Sequence, residues 1–199
     1  AGRAAVAEWL AGERTIPTFV RVNPLDSGLT AADLTAILTG RPDGIVLPKA
    51  EGAASVEALL RLMGDARLPI LPIASETPVA IFQLGSYGTV AAHLAGLTWG
   101  AEDLPAAIGA ATSREADGSY TAPYEMVRSL TLFGAHAAAA AAIETVFPRI
   151  DAPEALAAYG ARARRDGFTG MMAIHPAQVG IINDGFTPTA DEIAHARAV

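Results

Sequence analysis

The sequence has no cysteine. This absence excludes disulfide bonds, thiolate zinc sites and cysteine nucleophiles, and it fits a reducing compartment, so we expect a cytoplasmic protein. Long hydrophobic runs are also missing: the alanine-rich stretch at 135–142 is flanked by His136 and Glu144, and it fits an ordinary helix better than a membrane span. Charges interrupt the apolar pattern of the first residues, which therefore predicts a helix and not a signal peptide. We expect no membrane association.

Positive charge is scarce and scattered. The chain carries 14 basic and 21 acidic residues, a net charge of −7, with no aromatic residues interleaved among the basic ones. A broad basic face for nucleic acid is therefore excluded, and any anionic ligand must be held by a local device such as a metal, an arginine or a helix N-terminus. The sequence contains no P-loop, dinucleotide-binding glycine motif, nucleophile elbow or paired histidines at metal-ligand spacing.

Short apolar runs alternate with longer helical patterns along a chain that is 51% hydrophobic and 18% charged. This composition predicts one globular domain over 1–199, and the alternation predicts an α/β fold with a parallel sheet of βαβ units. The predicted strands lie within 15–23, 43–49, 68–75, 94–100, 143–151 and 169–176. The predicted helices are 30–39, 53–64, 78–95 with a break at Gly85 or Gly88, 122–142 and 152–166.

Six strands suit an open, doubly wound sheet, whereas a (β/α)₈ barrel needs eight strands and typically about 250 residues. The chain also opens on a helix with no strand before it. Two interpretations follow: the sheet is open, or the beginning of a barrel is absent from this sequence.

Polar residues concentrate where the predicted strands end, which is where active sites of barrels and open α/β sheets lie. Five of the six runs end in this way. These residues are Arg21 and Asn23, Lys49, Glu76, Glu102 and Asp103, and His175. Loops after strands are polar in many proteins, and Glu76 and Asp103 could simply cap the helices that follow them.

Glu76 and Asp103 follow successive strands, and neighbouring strands lie about 4.8 Å apart, so the two carboxylates can share one cation. Oxygen ligands without histidine or cysteine suit Mg²⁺ or Mn²⁺. An acid/base pair of the glycosidase kind is the alternative, but the nearby Arg21 and Lys49 suit an anionic substrate better than a neutral sugar. Glu102 is the weaker acid candidate because neighbours on a strand end point in opposite directions.

The remaining histidines and large side chains predict mainly structural roles. The histidines at 93, 136 and 195 sit in helical patterns without a partner motif, and His175 is either a packed, hydrogen-bonded histidine or a catalytic one. Trp99 is predicted in the core, and Met171 and Met172 are predicted to fill a barrel or its helix layer.

The strand-end phrases, taken in order, resemble the citrate lyase beta-subunit branch of the HpcH/HpaI aldolase family. They are "RVN" (21–23), "DGIVLPK" (43–49), "ETP" (76–78), "WGAEDL" (99–104), "GFTGMMAIHPAQV" (167–179) and "IND-GF-P" (182–188). The resemblance implies a (β/α)₈ barrel that uses Mg²⁺ to make or break a carbon–carbon bond beside a 2-oxo acid. The "GAEDL" phrase favours the branch that cleaves citryl-, malyl- or citramalyl-thioesters into an acetyl thioester and a 2-oxo acid.

The same resemblance assigns roles to particular residues. It implies that Glu76 and Asp103 bind the metal and that Arg21 binds the substrate carboxylate or the developing enolate. Lys49 matches a recurrent position, and we predict it, with Arg21 and Glu76, as a substrate-binding residue. Met171 departs from the pattern, because many relatives carry lysine there.

Family members begin with two further strands and continue into a C-terminal lid that carries an aspartate proposed as acid/base. The resemblance therefore implies a barrel that lacks its first two strands and its lid in this sequence, with the acid/base outside it. It also implies a homo-oligomer, a trimer or hexamer, acting on a CoA or acyl-carrier thioester. Two other functions stay open: a divalent-metal class II pyruvate aldolase, and a non-catalytic subunit that binds CoA or an acyl carrier.

Overall fold

The computed structural model describes residues 2–198. These residues form two compact units that divide between Ala142 and Ile143, and each unit is described by itself. The prediction of one domain over 1–199 stays a prediction.

The first unit alternates strands and helices, as the sequence predicts. Its strands are β1 (Phe19–Arg21), β2 (Gly44–Leu47), β3 (Ile70–Pro72) and β4 (Leu97–Thr98). Its α-helices are α1 (Gly2–Leu10), α2 (Thr30–Ile37), α3 (Ala53–Met63), α4 (Pro78–Phe82), α5 (Leu104–Ile108) and α6 (Ala122–Ala137).

The first three strands form a parallel sheet in the order β1-β2-β3. Arg21 of β1 lies opposite Val46 of β2, and Leu47 of β2 lies opposite Pro72 of β3. Strand β4 continues the parallel arrangement through bridges to β3, one of which joins Ile73 to Thr98. All four residues of β2 are buried, because helices cover both faces of such a sheet and make its strands continuously apolar. The predicted parallel α/β fold is confirmed.

The second unit repeats the pattern on a smaller scale. Strand β5 (Ala142–Glu144) begins at the division, and α7 (Pro153–Asp166), β6 (Gly170–Met171), α8 (Pro176–Phe186) and α9 (Ala190–Ala198) follow. Strands β5 and β6 are parallel, with Glu144 opposite Met171. Phe147, Leu156 and Ile182 form the buried core of this unit, and Met171 packs against them, in agreement with its predicted packing role.

Several element boundaries differ from the prediction. The predicted helix 78–95 breaks at Gln83, before either glycine, and continues as a 3₁₀ helix over Leu84–His93. Strand β6 covers two residues of the predicted 169–176, because His175 already serves as the N-cap of α8. The short α5 and the helices α8 and α9 are absent from the predicted set. Within residues 2–198, no helix combines the length and the apolar character needed to cross a membrane.

Candidate active site

The carboxyl ends of the four strands of the first unit bring the predicted site residues together. Arg21 ends β1, and Lys49, Glu76 and Asp103 lie in the loops that follow β2, β3 and β4. These four residues and Asn23 line one pocket of about 290 Å³. The parallel order of the strands is the reason, since each strand delivers its C-terminal loop to the same edge of the sheet.

Glu76 is half-buried, and its carboxylate is held by the main chain. The backbone N–H of Lys49 donates to Glu76 Oε2 at 2.6 Å. Burial raises the pKa of the Glu76 carboxyl; the Lys49 N–H opposes this shift, and the charge of the neighbouring Asp103 carboxyl adds to it. The two predicted metal ligands are therefore close neighbours that repel each other when both are ionised.

The side chain of Asp103 is 51% exposed. Its Oδ2 is 3.7 Å from the Nζ of Lys49, whose side chain is 43% exposed. Asp103 occupies the N-cap position of α5, but its side chain makes no capping hydrogen bond there. The cap of α4 is Thr77, which accepts a hydrogen bond from Ala80, and not Glu76. Helix capping therefore does not explain either acid.

Ser75 and Gly100 link the two loops that carry these acids. The fully buried Ser75 hydroxyl accepts a hydrogen bond from the N–H of Gly100 at 3.1 Å, which joins the loop after β3 to the loop after β4. A Cβ at Gly100 would lie 2.9 Å from Cγ of Glu76. Glycine is thus needed for the close approach of the main chain to the Glu76 side chain.

Asp33 is a site-supporting residue that sequence reasoning missed. It is buried in the first turn of α2, and Oδ2 accepts hydrogen bonds from both the N–H and the Nδ2 of Asn23 at 2.7 Å. Oδ1 pairs with Arg3 Nε at 2.6 Å. Burial opposes ionisation of Asp33, but the bonds from Asn23 and Arg3 outweigh it and hold the pKa of this carboxyl below its ordinary value. An acid in a helical pattern carries no signal of such a contact.

The other polar candidates lie apart from this arrangement. Glu102 is 61% exposed and points to Arg114, 3.7 Å away. This agrees with the prediction that Glu102 is the weaker acid candidate for the site. Trp99 is buried in the core, as predicted, against Tyr120. His175 is exposed and caps α8, where its Nδ1 accepts a hydrogen bond from the N–H of Ala177.

Two carboxylates are the ionic ligands that this pocket offers. Within residues 2–198, no group of three or more histidine, aspartate or glutamate side chains is placed to bind one metal ion. A pair of acids with open positions for water and substrate oxygens is the donor set that Mg²⁺ takes in proteins, whereas a closed structural site would need more protein ligands. The donor set fits a small divalent cation, and the assignment of Glu76 and Asp103 as its ligands stays a prediction.

Comparison with known proteins gives consistent results. The family model for "HpcH/HpaI aldolase/citrate lyase" matches residues 3–176. A citrate lyase subunit beta-like protein of Mycobacterium tuberculosis is 32% identical over 193 residues, which cover 94% of this chain and 64% of that protein. The mitochondrial citramalyl-CoA lyase of Rattus norvegicus is 28% identical over 89% of this chain and 56% of its own length. The chain thus spans less than two thirds of these relatives.

Solved structures agree with the sequence relatives. The crystal structure of the protein CitE from M. tuberculosis, in complex with magnesium, acetoacetate and coenzyme A, superposes with a TM-score of 0.81 at 31% identity. The match covers 98% of this chain and 70% of that one. Because the family model matches most of its length and its parallel α/β fold agrees, the chain belongs to the HpcH/HpaI aldolase/citrate lyase family.

Proposed function

We propose that the protein is a Mg²⁺-dependent carbon–carbon lyase, with Mn²⁺ as a substitute ion. Its substrate would be the thioester of a 2-hydroxy acid, of the citramalyl-, malyl- or citryl-CoA type, with the hydroxyl β to the thioester carbonyl. Its products would be an acetyl thioester and a 2-oxo acid. The observation that carries the proposal is the convergence of Glu76 and Asp103 in one pocket with Arg21 and Lys49. The names of the relatives, and the magnesium, acetoacetate and coenzyme A in the similar structure, support the same reaction.

Glu76 and Asp103 would hold the ion. Their mutual repulsion and the burial of Glu76 favour binding of a divalent charge, since an added cation relieves both penalties. When bound, such an ion acts as a Lewis acid and orients the hydroxyl and carboxylate oxygens of the 2-hydroxy acid.

Arg21 and Lys49 would bind the anionic groups of the substrate. The Arg21 guanidinium suits a carboxylate or the thioester enolate, because its planar donors match two oxygens at once. In the reaction, a general base accepts the proton of the hydroxyl, whose oxygen becomes the 2-oxo group. The electrons of the broken C–C bond move to the thioester as an enolate. Preorganised cations beside that developing charge typically supply several kcal/mol. Protonation of the enolate carbon then gives the acetyl thioester.

The finer assignments from the sequence belong to the same proposal. We place β1–β4 and their helices in a (β/α)₈ barrel, with the site at its C-terminal face. We expect a cytoplasmic homo-oligomer, a trimer or hexamer, that takes its acyl group from CoA or from an acyl carrier.

Incubation of the full-length protein with citramalyl-CoA, malyl-CoA and citryl-CoA, with and without Mg²⁺, tests the reaction. We expect Mg²⁺-dependent release of acetyl-CoA together with pyruvate, glyoxylate or oxaloacetate, respectively. Chromatography and mass spectrometry detect these products. Glu76→Gln and Asp103→Asn should each abolish the dependence on Mg²⁺.

Glu102→Gln is the matched control. Glu102 is adjacent to Asp103 in the sequence, but its carboxylate points to Arg114. This variant should retain activity. If no 2-oxo acid is released from any thioester, the lyase proposal is wrong. If Glu76→Gln and Asp103→Asn keep full Mg²⁺-dependent activity, the site lies elsewhere.

A further inference from the structure

Lys49 is chemically singular in this sequence: of 14 basic residues, 13 are arginines and Lys49 is the one lysine. The two side chains are not interchangeable. Arginine presents a planar fork that binds a carboxylate bidentately, whereas lysine is a compact, strongly hydrated point charge on a flexible stem. A chain that otherwise uses arginine therefore places a different kind of cation at this one pocket.

The main chain at Lys49 is also unusual. Its φ of 50° lies in the left-handed region, which residues other than glycine rarely adopt. In this conformation its backbone N–H donates to Glu76 at 2.6 Å, and its ammonium lies 3.7 Å from Asp103. Lys49 thus contacts both acids, Glu76 with its backbone N–H and Asp103 with its ammonium group.

We propose that Lys49 is an internal counter-ion of the Glu76–Asp103 pair. Its backbone N–H stays on Glu76, while a divalent cation displaces its ammonium from Asp103 and frees that ammonium for an anionic substrate in the same pocket. This inference rests on the proposed function, because it takes the two acids as the metal ligands.

The contact with Asp103 suits displacement. At 3.7 Å it is longer than a direct hydrogen bond, and about half of each side chain is exposed to water, so the ion pair is weak. An arginine fork in the same place would bind both carboxylate oxygens and release them less readily. The displaced ammonium remains on a flexible stem in a pocket that Arg21 and Asn23 also line.

Displacement couples the two ligands of the pocket. If the cation frees Lys49 for the anion, it raises the affinity for the anion, and by linkage the anion raises the affinity for the cation by the same factor. The ammonium competes with the metal in the absence of substrate and assists it in the presence of substrate. This predicts a preferred order of binding, with the metal before the anion.

Isothermal titration calorimetry of the full-length protein tests the coupling, with Mg²⁺ and pyruvate as the probes. The variants are Lys49→Met, which keeps an apolar stem, and Lys49→Gly, which accepts the left-handed backbone without strain. We expect both to bind Mg²⁺ alone about two- to fivefold more tightly, from the range of exposed ion pairs, and to show a smaller Mg²⁺-dependent gain in pyruvate affinity than the wild type. The gain that remains comes from direct contact between the ion and the oxygens of pyruvate. Arg67→Met, the charge-matched control away from this pocket, should bind both probes like the wild type.

A spectroscopic measurement follows the ammonium itself. Reductive methylation with ¹³C-formaldehyde labels Lys49 and keeps its charge, and Lys49→Arg identifies its resonance. We expect Mg²⁺ to shift this resonance and pyruvate to shift it again when Mg²⁺ is present.

The outcomes separate this inference from the proposed function. If the wild type binds no Mg²⁺, the metal site and the inference both fail. If the wild type binds Mg²⁺, but both Lys49 variants bind it no more tightly and keep the full gain in pyruvate affinity, the counter-ion role alone is wrong. Reduction with borohydride that fixes pyruvate to Lys49 would also overturn it, because the amine would then act as a nucleophile.

Discussion

Gly100→Ala should damage the candidate site by moving one side chain. The added Cβ would lie 2.9 Å from Cγ of Glu76 and 3.3 Å from Cγ2 of Ile73, against an ordinary contact of at least 3.4 Å. Relief of the first contact requires a shift of about 0.5 Å by Glu76 or by its loop, and overpacking of this size costs about 1–3 kcal/mol of stability. Because supporting residues of metal sites typically contribute 10–100-fold to affinity or activity, we expect Mg²⁺ affinity to fall by about that factor.

Calorimetry with Mg²⁺ and urea unfolding measure the two effects separately. Gly85→Ala is the control, since a Cβ there meets no atom within 4 Å. This variant should bind Mg²⁺ like the wild type. Unchanged Mg²⁺ affinity in Gly100→Ala would refute the reasoning, because Glu76 would then either tolerate the displacement or not bind the ion.

Two further predictions concern acids away from the predicted metal ligands. Asp33→Asn should lower the free energy of unfolding by about 1–3 kcal/mol in urea, since it loses the charged acceptor for Asn23 and Arg3. Because the pKa of Asp33 is lowered, its contribution to the free energy of unfolding is present above pH 3.8 and is lost as the pH falls below that value. The difference in stability between the wild type and the variant should therefore shrink in acid. Glu192→Gln should speed amide hydrogen exchange in α9. Hydrogen bonds from Arg164 and the Thr189 N–H lower the pKa of Glu192 to about 2, so the stabilisation by Glu192 fades as the pH falls from 4.5 toward 2. Equal exchange rates in the wild type and the variant at neutral pH would contradict this.

The parallel sheet and the residues that line the pocket could be predicted because both depend on local sequence patterns. A buried parallel strand is a short apolar run, and its end is marked by the first polar residues. Once the strands are parallel, their C-terminal loops share an edge, so the convergence of Arg21, Lys49, Glu76 and Asp103 follows from chain order alone. No pairing information was needed.

The boundaries could not be predicted as well, for physical reasons. Strand β4 is two residues long, and such a segment is defined by its partners and not by its own sequence. Helix α4 ends at Phe82 with Gln83 as its C-cap, and no glycine marks the break. Helix α8 begins with Pro176 at its first turn and contains Gly180 and Gly185, which weaken the helical pattern. The sequence therefore predicts a strand that runs through Pro176.

The contacts that orient the site residues were also hidden from the sequence. Lys49 adopts a left-handed backbone conformation without glycine or asparagine to signal it. The bond between Ser75 and Gly100 joins residues 25 positions apart, and Asp33 reads as one polar residue in a helix. Such contacts depend on the final packing, to which local propensity gives no access.

The candidate site is held largely by groups that take no part in the proposed chemistry. Glu76 is aimed by the N–H of Lys49 and confined by the missing Cβ of Gly100, while Ser75 joins the loops that carry the two acids. The main chain is the most rigid part of such a loop, and it can hold two carboxylates at a distance that their charges oppose. Under the proposed function, these contacts preorganise the two acids for a cation, and changes at Ser75 or Gly100 should resemble the loss of a ligand although neither residue binds one.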